Sequence, residues 1–206
     1  ALGGRETNLM ESAGNAVARA ARDRVGPDGT VTVLAGRGNN GGDALTAARY
    51  LADLDPTVHL LGHPDRIRSE VTREKWDALQ AAAVETHVVR DASAVAIGSP
   101  AVVIDGVLGT GVTGSPREPE RTTIEAINDS GATVVSVDVP SGMDVDTGET
   151  PGVAVAADRV VTFHDLKPGL ADREDVTVAN IGIPPAAERF VGPGDRQRLS
   201  RPADAH

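Results

Sequence analysis

Short apolar runs alternate with helically spaced apolar positions along most of the chain. Residues 31–35 form a β-branched apolar run, and residues 57–61, 85–90, 101–108, 133–139, 158–163 and 176–183 repeat that texture. Each reads as a buried strand. Between them lie segments of helical period. In residues 8–24, Leu9, Ala13, Ala16, Val17 and Ala20 share one face, and Asn8 and Glu11 have capping-box spacing. Residues 43–54 carry Leu45, Ala48 and Leu51 inward, and residues 65–83 carry Trp76 and Leu79. A fourth helix opens near Pro119 with Ile124 and Ile127 as its stripe. Residues 36–42 read as a glycine-rich turn, and Gly26-Pro27-Asp28-Gly29 as a helix stop.

Strands alternating with helices predict an α/β layered domain with a mainly parallel sheet. The domain is expected over residues 1–191. From Gly192 the text turns polar and arginine-rich, so residues 192–206 read as a tail or linker.

Composition removes several function classes. The 206 residues carry a formal charge of −10, which argues against broad phosphate-backbone binding and hence against nucleic acid as a partner. With no cysteine there is no disulfide, thiolate nucleophile or cysteine-based zinc site. No apolar run approaches ~20 residues, so no membrane span is expected, and the cytoplasm is the expected compartment. Lys75 and Lys167 are the only lysines. An acidic, lysine-poor chain of this kind resembles proteins from salt-loving organisms.

Candidate chemistry gathers where strands end in glycine. Gly36, Gly38 and Gly41 satisfy G-x-G-x-x-G spacing between a strand and a helix, the pattern that brings backbone N–H groups to a pyrophosphate. Gly62-His63 stands where a dinucleotide dehydrogenase would carry a ribose-reading acid, and the GK[ST] of a P-loop is absent. Asp105 precedes the glycines at 109, 111 and 114, and Asp138-Val139-Pro140-Ser141-Gly142 ends another strand. Strand carboxyl ends face the ligand crevice in a parallel sheet, so Asn40, Asp105, Asp138 and Ser141 are expected to converge there. Their oxygen donors suit a hard cation. His59 reads as a core or surface histidine and Trp76 as packing. His164 and Lys167 are expected either to border the site or to lie in a solvated turn.

Five strings in order resemble the NAD(P)HX epimerase family, the YjeF N-terminal domain: LMESAGNAVA at 9–18, GRGNNGGDAL at 36–45, VIDGVLGTGVTG at 103–114, SVDVPSGMDVDTGE at 136–149 and VTFHDLKPGL at 161–170. The resemblance implies a Rossmann-like three-layer sandwich. It implies an isomerase that interconverts the R and S epimers of hydrated NADH or NADPH, which carry a hydroxyl at C6 of the reduced ring. Asn39, Asn40, Gly41, Gly42 and Asp43, then Gly109, Thr110, Gly111, Val112, Thr113, Gly114 and Ser115, match the segments that bind the hydrate, with Asp138 as a further position. Asn40, Asp105 and Ser141 match potassium (K+) ligands. Ala44 stands where the family usually has glycine. Only Leu2-Gly3-Gly4 remains of the usual N-terminal helical approach, which suggests a shortened chain. The end at 201–206 is similar to the junction before a fused ADP/ATP-dependent dehydratase domain, and a homodimer is compatible with the family.

Epimerisation at C6 requires the C6–O or the ring C6–N bond to break and re-form. Asp138 is the expected catalytic residue: its carboxyl can protonate the departing hydroxyl, then as carboxylate stabilise the cation and activate returning water. Two rivals remain at this point. One is a non-catalytic nucleotide- or RNA-metabolite-binding module of the same fold. The other is an NAD-dependent oxidoreductase.

Overall fold

The structure, a computed structural model, describes residues 6–112 and 114–183. Its elements run α1 (Glu6–Arg22), β1 (Val31–Ala35), α2 (Asn39–Tyr50), β2 (Thr57–Leu61), α3 (Glu70–Ala81), β3 (Thr86–Val89), β4 (Val102–Gly106), α4 (Glu120–Asp129), β5 (Thr133–Val137), β6 (Arg159–Phe163) and β7 (Val176–Ala179). The strands form one sheet in the order β3-β2-β1-β4-β5-β6-β7. Every neighbouring pair is parallel. The α/β reading of the sequence holds, and the sheet is parallel throughout. The expected tail at 192–206 lies outside the described residues.

Alternation along each strand explains why the central strands read as unbroken apolar runs. Val31, Val33 and Ala35 of β1, Val102 and Ile104 of β4, and Val135 and Val137 of β5 join one core, with Val17 of α1, Leu45 of α2 and Leu79 and Trp76 of α3. Leu34, Val103 and Val134 point the other way and pack on Ile124 and Ile127 of α4 and on Ile97 and Val155 from connecting segments. A strand covered on both faces has no polar face to show. Trp76 is therefore packing, as expected. His59, 6% exposed, stacks on His87 across β2 and β3 with ring centroids 5.1 Å apart. Among the described residues no helix is long and apolar enough to cross a membrane.

Several boundaries differ from the sequence reading, each for a local reason. Asn8 lies inside α1, and Glu11 is not a cap: its carboxylate accepts from Lys75 Nζ at 2.7 Å and Tyr50 Oη at 2.9 Å, and also pairs with Arg49. The α3 start moves from 65 to Glu70 because Ser69 Oγ accepts from the Thr72 amide at 3.2 Å, while Pro64–Arg66 form a separate single turn. Helix α2 begins at Asn39, inside the predicted glycine turn. Its glycines serve close packing. A Cβ on Gly41 would sit 1.9 Å from the Gly36 carbonyl oxygen, and one on Gly36 would sit 2.1 Å from that of Val107.

Candidate active site

The strand order reverses between β1 and β4, the place where an open parallel sheet leaves a crevice beyond its carboxyl ends. Residues 36–40 leave β1 there, and residues 107–112 leave β4 beside them. Between them lies a cleft of about 450 Å³, closed at the sides by Arg68, Glu120 and Asp138. Gly38 caps α2 in an extended conformation without a side-chain hydrogen bond, so the first N–H groups of the helix remain available at this mouth.

Nine expected binding residues line the cleft: Asn39, Asn40, Gly41, Asp43, Gly109, Thr110, Gly111, Val112 and Asp138. Gly42 does not, because it is buried under Met10 and Thr72. Gly114 lines a smaller neighbouring depression, and Ser115 packs against Gly152. Thr113 lies outside the described residues. Gly38 of the glycine pattern joins them, and Arg37, Arg68, Val107, Leu108 and Glu120 complete the wall without having been assigned from sequence. Arg37 is 3.8 Å from Glu120. The signal for Arg37 was its place inside the glycine string; Arg68, more than thirty residues away, had none. Ala44 is fully buried and does not line the cleft; its Cβ fills the space above Gly106, so the methyl packs helix on sheet.

Asp105, Ser141 and Asn40 do come together, as the floor beside the cleft. Asp105 is fully buried, and its four hydrogen-bond donors are neutral: Ser136 Oγ at 2.7 Å, Ser141 N at 2.9 Å, Ser141 Oγ at 2.5 Å and Val107 N at 3.2 Å. Burial pushes this carboxyl up despite those donors. Asn40 Nδ2 donates to the Leu108 carbonyl at 2.8 Å, and Ser141 Oγ accepts from the Leu108 amide at 2.8 Å. All three side chains thus bear on the loop that follows β4. The donor set is oxygen, with a single carboxylate and no cationic partner among the described residues, and so it fits a hard monovalent cation.

Asp138 stands just past β5 with φ +62°, a region non-glycine residues enter seldom. Its amide donates to the Val161 carbonyl at 2.8 Å, and its Oδ1 accepts from Thr162 Oγ1 at 2.9 Å and from the Phe163 amide at 3.2 Å. Lys167 Nζ is 2.8 Å from the same oxygen. Of the two uncertain neighbours, neither lines the cleft, but Lys167 reaches it through its contact with Asp138. Asp43 faces the cleft from α2 yet lies deep enough for desolvation, reinforced by Asp138 and Glu6, to push its carboxyl well above the ordinary range.

A sequence profile of the family described as YjeF-related protein N-terminus matches residues 6–169. A bifunctional NAD(P)H-hydrate repair enzyme of Methanothermobacter thermautotrophicus is 46% identical over 100% of this chain and 42% of its own length. An NAD(P)H-hydrate epimerase of Cenarchaeum symbiosum is 46% identical over 93% of this chain and 92% of its own. The chain thus spans under half of the bifunctional relative and nearly all of the single-function one. The crystal structure of the yeast protein ynu0 superposes with a TM-score of 0.68 at 25% identity, covering 85% of this chain and 79% of that one.

Proposed function

Because the chain belongs to the YjeF-related protein N-terminus family, we propose that it is an isomerase that interconverts the R and S epimers of hydrated NADH and NADPH. The observation that carries this reading is the cleft itself. A glycine-cradled helix N-terminus and two arginines face a carboxylate across a space that suits the pyrophosphate and ring of a dinucleotide. The names of the relatives, NAD(P)H-hydrate epimerase and bifunctional NAD(P)H-hydrate repair enzyme, point to the same substrate class.

The chain's own residues then divide the work. The N–H groups at the start of α2, with Arg37 and Arg68, hold the pyrophosphate. The backbone of 109–112 lies along the substrate and fixes the ring near Asp138, a positioning effect. At C6 the hydroxyl, protonated by a carboxyl group of the cleft, leaves as water while the ring nitrogen lone pair forms the iminium cation; water then adds from the opposite side and gives up its proton to a carboxylate of the cleft. The Asp138 carboxylate stabilises that cation. Asn40, Asp105 and Ser141 would hold K+, since both serine hydroxyls around Asp105 can turn their protons away. The ion would neutralise the buried carboxylate and stiffen the loop after β4.

In the longer relatives this portion adjoins further sequence, and we assign it there the epimerase step beside a dehydratase. The cytoplasm is the compartment this reading assigns. The deciding experiment is chiral chromatography of the purified S hydrate after incubation with the protein, corrected for spontaneous epimerisation. Approach to an R/S mixture above background is expected; a rate equal to background rejects the activity.

A further inference from the structure

Resting on that epimerase reading, we infer that proton transfer in the cleft is divided between two carboxylates. Asp43 donates the proton to the departing hydroxyl, and Asp138, anchored by Lys167, is the charged partner that faces the cation and accepts the proton of the returning water. The geometry separates them. On Asp138, Oδ1 takes Thr162 Oγ1, the Phe163 amide and Lys167 Nζ, and no donor among the described residues reaches Oδ2. Lys167 cannot swing away freely, because its ammonium also donates to the carbonyls of Phe163 at 2.8 Å and Asp165 at 3.3 Å. With Oδ1 engaged by the Lys167 ammonium, Oδ2 is the oxygen left to face the cation and to take up a proton.

Asp43 has the opposite surroundings. It lines the same cleft from the fifth residue of α2, and no hydrogen-bond donor or ion-pair partner reaches its side chain among the described residues. Asp138, after β5, and Glu6, on α1, are the charges that act on it, and both are negative. The cleft's other charged groups are Arg37 after β1, Arg68 before α3 and Glu120 on α4, with Arg37 already near Glu120. Two carboxyl groups that line one cleft, one beside an ammonium and the other without a donor, can share a single proton and act as acid and base.

The step balances. Asp43 gives its proton to the C6 hydroxyl, and the C6–O bond breaks with both electrons leaving on water. The ring nitrogen lone pair becomes the second N=C6 bond. Water then adds to C6, its electron pair forming the new C6–O bond, and its proton passes to Asp138. Solvent returns that proton to Asp43. In the reverse direction the roles exchange: Asp138, carrying the proton, gives it to the hydroxyl, and Asp43 takes up the proton of the entering water, so no oxidant or reductant is required.

The test is the pH profile of initial epimerisation rate on chirally resolved NADH hydrate, corrected for background. The wild-type profile should have an acid and an alkaline limb, the alkaline one lying above the ordinary carboxylate range. Asp43→Asn should lose at least ~10²-fold in kcat with KM changed only a few-fold. Lys167→Gln should lower kcat at least ~10-fold with KM changed only a few-fold, and Lys167→Arg, which keeps the positive charge, should restore most of it; a merely structural lysine would not separate the two variants in this way. Circular dichroism and calorimetric binding of the hydrate control for folding, and Asp43→Glu, which keeps a transferable proton, should recover part of the rate. A folded Asp43→Asn at near wild-type kcat, or a folded Lys167→Gln at near wild-type kcat, overturns the assignment. An inactive wild type instead removes the epimerase reading itself, a result distinct from inactive variants beside an active parent.

Discussion

Two regions of this molecule bury carboxylates, and they treat them in opposite ways. Between the helices, Glu11 of α1 meets Lys75 of α3, and Arg49 and Tyr50 of α2. Burial alone would push its carboxyl up, but the Lys75 and Tyr50 hydrogen bonds and the charges of Lys75 and Arg49 outweigh burial and hold it below the usual range. At the sheet's carboxyl end Asp105 accepts four hydrogen bonds to Glu11's three, all from neutral donors, and burial prevails. Asp43 has still less: no donor reaches it among the described residues, and the charges that shift it, Asp138 and Glu6, are negative. Glu11, its side chain 30% exposed and met by two cations, is held low, whereas Asp105, fully buried among neutral donors, is pushed up, so depth of burial and the charge of the partners together decide the state of each acid. The helical layer settles its charge within the fold, whereas the cleft leaves charge for a ligand or a proton to settle.

That contrast can be broken by substitution. The largest effect is expected at Asp138, where Asp138→Asn should keep the fold and lose at least ~10²-fold in epimerisation rate, measured as initial rate above background. Near wild-type turnover by a folded variant would leave Asp138 a binding residue only.

Glu11→Gln should act on stability instead. It leaves Lys75, whose side chain is 8% exposed, without its partner at 2.7 Å. Because Glu11 itself keeps some solvent contact, a loss of about 2 kcal/mol is expected, between the exposed and fully buried cases. The sign with pH follows from the lowered carboxyl. The wild-type advantage in denaturant melts should be complete above the ordinary glutamate range and disappear as pH falls through the lowered value. An advantage that persisted in acid would mean packing, not charge, supports the network.

At the floor of the cleft, Asp105→Asn should reduce K+ affinity at least ~10-fold, read as the K+ concentration dependence of activity and of the melting temperature. Wild-type protein should be more stable in KCl than in NaCl at equal ionic strength, and the variant equally stable in both. Identical wild-type responses to the two salts would remove the cation site.

The smallest effect is general screening. With a formal charge of −10, the melting temperature should rise with either salt as self-repulsion is screened. A flat or falling midpoint would reject the salt-adapted reading of the composition.

Much of this was legible in the residues. The ranges of β1 and β2 matched at both ends, and every expected strand exists, because a strand covered on both faces writes itself as an apolar run. Nine of the residues expected in the cleft reached it because they sit in glycine strings at strand ends, where chain direction alone places them. Errors clustered where two local signals competed. Asn8 and Glu11 have capping-box spacing, yet Asn8 is in mid-helix and Glu11 is drawn to cations brought by two other helices. Helix α2 was placed four residues too late, since Gly41 and Gly42 read as a turn when considered without the Gly36 carbonyl and the Met10 side chain that exclude any Cβ.

The sequence by itself determined the order of the elements, the two-faced core and which turns carry glycine and acid, because period and turn chemistry are properties of neighbouring residues. Only the tertiary structure decided that β1 lies against β4, and with it that Asn40 reaches the Leu108 carbonyl. It also set Lys167 on Asp138, brought Arg68 to the cleft, and packed Ala44 on Gly106. These pairings join segments tens of residues apart. Their distances are set by strand order and by the packing of helices across the sheet, and no local period along the chain encodes either.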